Sequence, residues 1–263
     1  MGGCTIMLIS FDDITLSDRL LTKVPDWYLY TLDIETDKGH YQINWESVDK
    51  LAFYTTFQIG LGNHGPVSLQ NFYNLHNQMR QEEWNRNHSL GTYNDLPRDA
   101  NILDIGCGVG INSLILHNYL PESKLNLLDK NAGWEEVKDQ PRDFLNGYNE
   151  EYVFYNDTSL TEEAIRLSNM DSDRFRFMTP DSEWEQYDLI QSTWSYAWHY
   201  PLDIYYEKVL QCLKPGGKLL LDIWRVEDAE RISKDLNCEP ELSDFPIEQM
   251  VCGHSKRFLW TRK

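Results

Sequence analysis

The sequence predicts an α/β fold: a doubly wound, mostly parallel sheet of seven strands ending in an antiparallel hairpin, with an N-terminal appendage. Three observations predict it. Short apolar runs such as "NILDI" and "KLLLDI" lack polar alternation, which marks strands buried on both faces. These runs take turns with stretches of helical spacing, and strand–helix alternation builds parallel sheets. A length of 263 residues with 41% apolar content is enough to bury one large core.

The elements follow in order. Residues 1–95 have their own texture: "WYLYTLDI", the turn "ETDKGH" and "YQINW" alternate like a hairpin, and "PVSLQNFYNLHNQMRQEEWNRN" reads as an amphipathic helix starting after Pro66. This part is read as an appendage covering the ligand-binding end of the sheet, which residues 96–263 build. There, "ANILDIGCG" is a strand and a turn, and "INSLILHNYL" is a helix ended by Pro121. "KLNLLDKN" is the second strand. The segment from Gly133 to Met170 is longer than one crossover needs; "TSLTEEAIRLSN" within it has helical spacing, and the residues before it read as an insertion beside the sheet edge. "RFRFMTPD" and "YDLIQSTW" are the third and fourth strands. "PLDIYYEKVLQCL" has helical spacing through Leu202, Tyr206, Val209 and Leu213, stopped by a Lys-Pro-Gly-Gly turn at 214–217. "KLLLDIW" is the fifth strand, a helix spans about Glu227 to Leu236, and "IEQMVCGHSKRFLWTRK" reads as two strands joined around Gly253.

Charge and composition exclude several classes of function. A net charge of −18 and a pI near 4.7 disfavour nucleic acid, whose phosphates reward Lys/Arg patches. No stretch approaches the roughly 20 apolar residues of a membrane span, and "MGGCTIMLISFDD" lacks the basic start and long apolar run of a leader. The five cysteines, Cys4, Cys107, Cys212, Cys238 and Cys252, have no paired spacing, so free thiols in a reducing cytoplasm are expected. The histidines form no HxH or HxxxH pattern, and no metal is expected.

The chemistry gathers after the first strand of the sheet. Gly106, Gly108 and Gly110 are spaced G-x-G-x-G directly after Asp104, so backbone is bared for close approach. A dinucleotide fingerprint needs a glycine where Ile111 stands, and a phosphate loop needs Lys-Ser/Thr where Ile111-Asn112 stands. A ligand with an adenosine and no phosphate fits better. The second strand ends at Asp129, a position from which a carboxylate can accept hydrogen bonds from both ribose hydroxyls. The third ends at Thr179-Pro180-Asp181. Asp181 suits either an adenine amino group or an ordinary turn before Ser182.

On these residues the chain resembles the class I S-adenosylmethionine-dependent methyltransferases. "ILDIGCGVG" is similar to their motif I, "LNLLDKN" to their ribose-binding strand, and "LKPGGKLLLDI" to the turn and fifth strand beyond the substrate-facing region. The resemblance covers roughly Leu96 to Trp224 and the terminal hairpin, and implies a Rossmann-like sheet. It implies that Asp104, Gly106, Cys107, Gly108 and Gly110 line the methionine and ribose side of the cofactor. It also implies Asp129 at the ribose, and Asp181 with Ser182 near the adenine. The long insertion after Asp129 departs from the family's spacing and bears most on Asp181. Cys107 occupies a slot where small residues are usual, so it is not read as a nucleophile.

The acceptor side is expected after the fourth strand, in "QSTWSYAWHYPLD". Trp194, Ser195, Tyr196 and Trp198 are the candidate substrate-binding residues; the aromatics fit a stacking wall or core packing equally. The Asn/Asp-Pro-Pro-Tyr signature of amino-group methyltransferases is absent. His199 is the candidate general base toward a hydroxyl, its ordinary pKa near 6.5 suiting that role, with a packed structural histidine as the other reading. The expected activity is O-methylation of a small hydroxylated substrate, a sugar or polyketide-like group. A non-catalytic S-adenosylmethionine-binding scaffold subunit is the competing reading, followed by an N-methyltransferase or a nicotinamide-dependent oxidoreductase.

Overall fold

Seven strands pair into one sheet in the computed structural model, which describes residues 33–36, 39–42, 85, 87–108, 110–129, 158–193, 195–198, 200–242 and 256–263. Two short strands precede it, β1 (Asp33–Thr36) and β2 (Gly39–Gln42), paired antiparallel with Thr36 opposite Gly39, where the sequence predicts a hairpin. The sheet itself holds β3 (Asn101–Ile105), β4 (Lys124–Leu128), β5 (Phe175–Met178), β6 (Tyr187–Ser192), β7 (Leu213–Ile223), β8 (Glu241–Leu242) and β9 (Lys256–Thr261). Its order is β5-β4-β3-β6-β7-β9-β8, parallel from β5 to β7, with β9 antiparallel to β7 and β8 antiparallel to β9. The chain winds outward from β3 through β4 to β5, then returns to the other side of β3 with β6. That reversal opens a crevice outside the carboxyl ends of β3 and β6, where open α/β sheets take their ligands.

The apolar runs behave as their composition dictates. Ile102, Leu103, Leu189, Ile190, Leu219, Leu220 and Leu221 have no exposed surface, because helices cover both faces. Helix α1 (Ile111–Tyr119) buries Leu114, Ile115 and Leu116. Helix α2 (Thr158–Leu167) turns Thr161 and Ile165 inward, one helical turn apart. Helix α3 (Tyr206–Cys212) buries Tyr206 and Val209. Helix α4 (Val226–Leu236) buries Ala229, Ile232 and Leu236 and ends at Asn237 in the left-handed region, φ 50. The indole N–H of Trp260 in β9 donates to Ser233 Oγ at 2.9 Å and fixes α4 to the sheet.

One expectation needs correction. The Lys-Pro-Gly-Gly stretch does not separate helix from strand. β7 already begins at Leu213 opposite Tyr187, residues 214–217 bulge out, and pairing resumes with Lys218 opposite Leu189. Gly216 takes φ 76, its amide donates to the Arg262 carbonyl at 2.8 Å, and Arg262 returns a bond to the Gly217 carbonyl at 2.9 Å. β9 therefore holds the bulge, which spacing along one strand does not reveal. The strand outside β9 is Glu241–Leu242, upstream of the segment the sequence suggests; residues 247–255 lie outside the described residues. The helix expected after Pro66 is described only near its end, at Asn85 and at 87–89.

That end is tied to the sheet by a buried ion pair. Arg257 in β9 and Asp222 in β7 face each other, and two guanidinium N–H groups donate to the two carboxylate oxygens at 2.7 Å each. Both side chains are fully buried. The third nitrogen donates to Asn87 Oδ1 at 3.0 Å, and Asn87 Nδ2 donates to the Tyr93 hydroxyl at 3.0 Å. Removing one partner would leave a charge stranded in an apolar interior. Arg257→Met is therefore expected to lower the unfolding free energy in urea by about 3–5 kcal/mol, and adding Asp222→Leu to recover most of it.

Candidate active site

The glycine turn after β3 forms the floor of the crevice. Gly106, Gly108 and Gly110 have φ of 70, 55 and 73, the left-handed region where a side chain is strained. The Gly106 amide donates to the Leu128 carbonyl at 2.7 Å, so the turn is tucked against the end of β4. A Cβ on Gly106 would stand 1.8 Å from Ser195 Oγ, and one on Gly110 would stand 2.7 Å from Thr161 Cγ2. The turn is thus held between the connection after β6 on one side and α2 on the other.

Two carboxylates frame it. Asp104, 4% exposed, accepts the Ser113 hydroxyl at 2.6 Å and fixes the start of α1 beneath the turn. Asp129, half-buried at the tip of β4, has its amide on the Met178 carbonyl at 3.2 Å and its Oδ2 accepting the Gly108 amide at 2.7 Å. Cys107 lies between the two acids. Burial, then the charges of Asp129 and Asp104, push its thiol well above the ordinary thiol range. A thiol kept protonated is a poor nucleophile, as the sequence reading expects.

At the tip of β5 the Thr179 amide donates to Ser182 Oγ at 2.9 Å, and the Ser182 amide donates to the Thr179 carbonyl at 2.9 Å. The Ser182 side chain therefore closes the turn, which presents Asp181 to solvent.

The connection after β6 is fastened to the glycine turn. Ser192 Oγ donates to the Ile105 carbonyl at 2.7 Å and accepts the Tyr196 amide at 2.9 Å, while Asn112 Nδ2 donates to Thr193 Oγ1 at 3.1 Å. Ser195 is brought directly over Gly106. Tyr196 is corrected from substrate wall to core: it is 1% exposed, and its hydroxyl donates to the Leu202 carbonyl at 2.7 Å. Trp198 is also buried, edge-on to Trp224 with ring centres 5.6 Å apart. Trp194 and His199 lie outside the described residues.

Three aromatics at this end escaped the sequence reading. Trp224, half-exposed at the end of β7, donates its amide to the Ala197 carbonyl at 3.2 Å. Trp184 follows the Asp181 turn, and Tyr205 stands just before α3, ring centres 5.7 Å apart. Burial, then the charges of Asp129 and Asp181, raise the phenol pKa of Tyr205. The doubled tyrosine in "DIYY" is the one available signal, and helical spacing assigned only Tyr206 a role; Trp184 sits in a polar stretch that gives none.

A bare glycine turn at the reversal point of a parallel sheet, beside a strand-tip carboxylate, defines a Rossmann-like domain that takes a nucleoside ligand. The sequence family described as "Methyltransferase domain" matches residues 75–246, and the chain belongs to that family, as a class I S-adenosylmethionine-dependent methyltransferase. S-adenosylmethionine is its cofactor. No curated protein sequence matches the chain. Among solved structures it is similar to a methyltransferase from Pyrococcus furiosus, 14% identical, with TM-score 0.44 over 70% of this chain and 82% of that one. It is also similar to precorrin-6y C5,15-methyltransferase from Geobacter metallireducens, 13% identical, with TM-score 0.42 over 68% and 87% of the two chains. A third is PKMT2 from Rickettsia typhi in complex with AdoHcy, 19% identical, with TM-score 0.34 over 48% of this chain and 22% of that one. Among the described residues, no helix is long and apolar enough to cross a membrane.

The residues present fit this cofactor. The carboxylates of Asp104 and Asp129 beside the glycine turn favour a cationic sulfonium over a phosphate.

Gly106→Ala is expected to lower stability by about 1–3 kcal/mol through backbone strain alone, and further through the Ser195 collision. Adding Ser195→Gly should return only the collision part in urea unfolding. Peptide-resolved labelling with iodoacetamide at pH 8 should find Cys107 slower than a free cysteine, because the thiolate is scarce below its raised pKa.

Proposed function

We propose that this methyltransferase transfers the methyl group to an oxygen of a small hydroxylated acceptor, a sugar or polyketide-like compound. The observation that carries the site is the bond from the Gly108 amide to Asp129 at 2.7 Å, which brings the glycine turn and the second strand tip to one point. In this reading Asp104, Gly106, Cys107, Gly108 and Gly110 line the methionine and ribose side, and Asp129 accepts the ribose hydroxyls. Asp181 reaches the adenine amino group, while Ser182 shapes the turn that carries it. When bound, S-adenosylmethionine supplies a methyl group already activated on a sulfonium. The chain's own task is alignment and exclusion of water, where effective-molarity gains enter.

Ser195, over the glycine turn, borders both cofactor and acceptor. Trp198 supports that border from behind through Trp224, and Trp194 belongs to the same connection. His199 takes the acceptor's hydroxyl proton, a role suited to an ordinary imidazole near neutral pH. Residues 1–95 cover the acceptor, and residues 96–263 form the methyl-transfer domain. The net charge of −18 supports a small-molecule acceptor over nucleic acid, and the unpaired cysteine spacing supports a cytoplasmic location.

Calorimetry with S-adenosylhomocysteine tests the site: the wild-type chain should bind, and Asp129→Ala should bind about 10- to 100-fold more weakly, the worth of one or two hydrogen bonds to a charged group. His199→Ala should lower S-adenosylhomocysteine release with a panel of hydroxylated acceptors and leave affinity for that product unchanged. Loss of both together would count against a base.

A further inference from the structure

A single row of hydrogen bonds crosses the tips of four strands. The Tyr196 amide donates to Ser192 Oγ at 2.9 Å, and Ser192 Oγ donates to the Ile105 carbonyl at 2.7 Å. The amide of that same peptide group, on Gly106, donates to the Leu128 carbonyl at 2.7 Å. The next amide in line, on Asp129, donates to the Met178 carbonyl at 3.2 Å. Every carrier between Tyr196 and Met178 is a peptide group except Ser192. Pairing of β6 with β3 ends at Gln191 opposite Asp104, so this side chain extends the ladder one step after the backbone has left it.

Chemistry fixes the direction of the row. An amide nitrogen only donates and a carbonyl oxygen only accepts, so the hydroxyl receives from the connection after β6 and gives to the glycine turn. Bonds aligned in this way polarise one another. Ser192, Tyr196 and Ile105 are 0%, 1% and 2% exposed, so neither group served by the hydroxyl can turn to water instead. The connection is also strained. Ala197 takes φ 66, a left-handed position costly for an L residue, and such strain persists only where the surroundings impose it. We infer that Ser192 is a positioning residue for methyl transfer. Through this row it sets the connection that faces the acceptor against the turn that holds the cofactor, and passes the ordering of one to the other. This rests on the placement of cofactor and acceptor under Proposed function. Ser192 is itself fully buried and touches neither reactant; it fixes the spacing of the segments that do, where a small misplacement costs rate.

Hydrogen–deuterium exchange read by peptide, with and without saturating S-adenosylhomocysteine, tests the assignment. In the wild-type chain the ligand should slow exchange at the glycine turn, 104–110, and also across 195–200, there by about 3- to 10-fold, the worth of one hydrogen bond. Ser192→Ala should keep the slowing at 104–110 and lose it at 195–200. Ser192→Cys, which keeps the volume and offers only a weak donor, should lose part of it, and carries the test if Ser192→Ala does not fold. Tyr196→Phe is the control, since it removes another buried bond of the same connection, to the Leu202 carbonyl, without cutting the row. It should keep the slowing in both places. Slowing at 195–200 that survives in the Ser192 variants overturns the inference, as does an equal loss in Tyr196→Phe. Slowing confined to the glycine turn in the wild type overturns it too. A wild-type chain in which the ligand slows neither segment overturns the cofactor placement itself, and this coupling with it.

Discussion

The site depends on one missing side chain. At Gly106 the backbone turns through φ 70, donates to the end of β4, and lies so close to Ser195 that a methyl group would overlap the hydroxyl. Because nothing projects there, the tips of β3, β4 and β6 close to within hydrogen-bond distance of one another. Ser192 reaches Ile105, Asn112 reaches Thr193, and Asp129 reaches Gly108. Any L side chain at Gly106 would collide with Ser195 and strain the two bonds that fasten the end of β6, Ser192 to Ile105 and Asn112 to Thr193.

The far side of the sheet secures that arrangement in a different way. Asp222 and Arg257 are fully buried, so their charges are tolerated only as a pair with every strong donor directed at an acceptor. Asn87 takes one of those donors, and so binds the segment before the sheet to β7 and β9. Lys218 adds two bonds, to the Gly91 and Asn94 carbonyls at 2.5 Å each. Residues 87–94 are thereby bonded to β7 and β9 at Asn87, Gly91 and Asn94.

Much of the fold was legible because burial on both faces leaves a plain signature. Continuous apolar runs located β3, β4 and β6 closely, alternation in "RFRFM" located β5 at the sheet edge, and the 3.6-residue spacing located α1, α2 and α4. The bulge at 214–217 was not legible: Lys-Pro-Gly-Gly is a turn by local preference, and the bonds to Arg262, just past the distant strand β9, hold it within β7. The pairing of Glu241–Leu242 with β9 was hidden likewise, in two residues too short to show any period.

The site divides along the same line. Glycine spacing located the left-handed turn after β3 from sequence alone, because backbone conformation is encoded where the residues stand. The tertiary structure decided which aromatic faces the crevice and which fills the core. Tyr196 went inward because its hydroxyl found the Leu202 carbonyl, and Trp198 because it packs edge-on against Trp224. Alternating Trp and Tyr residues look alike in sequence, since each carries a large apolar ring and one polar atom. What separates them is where that polar atom finds its partner, and such partners come from distant parts of the chain.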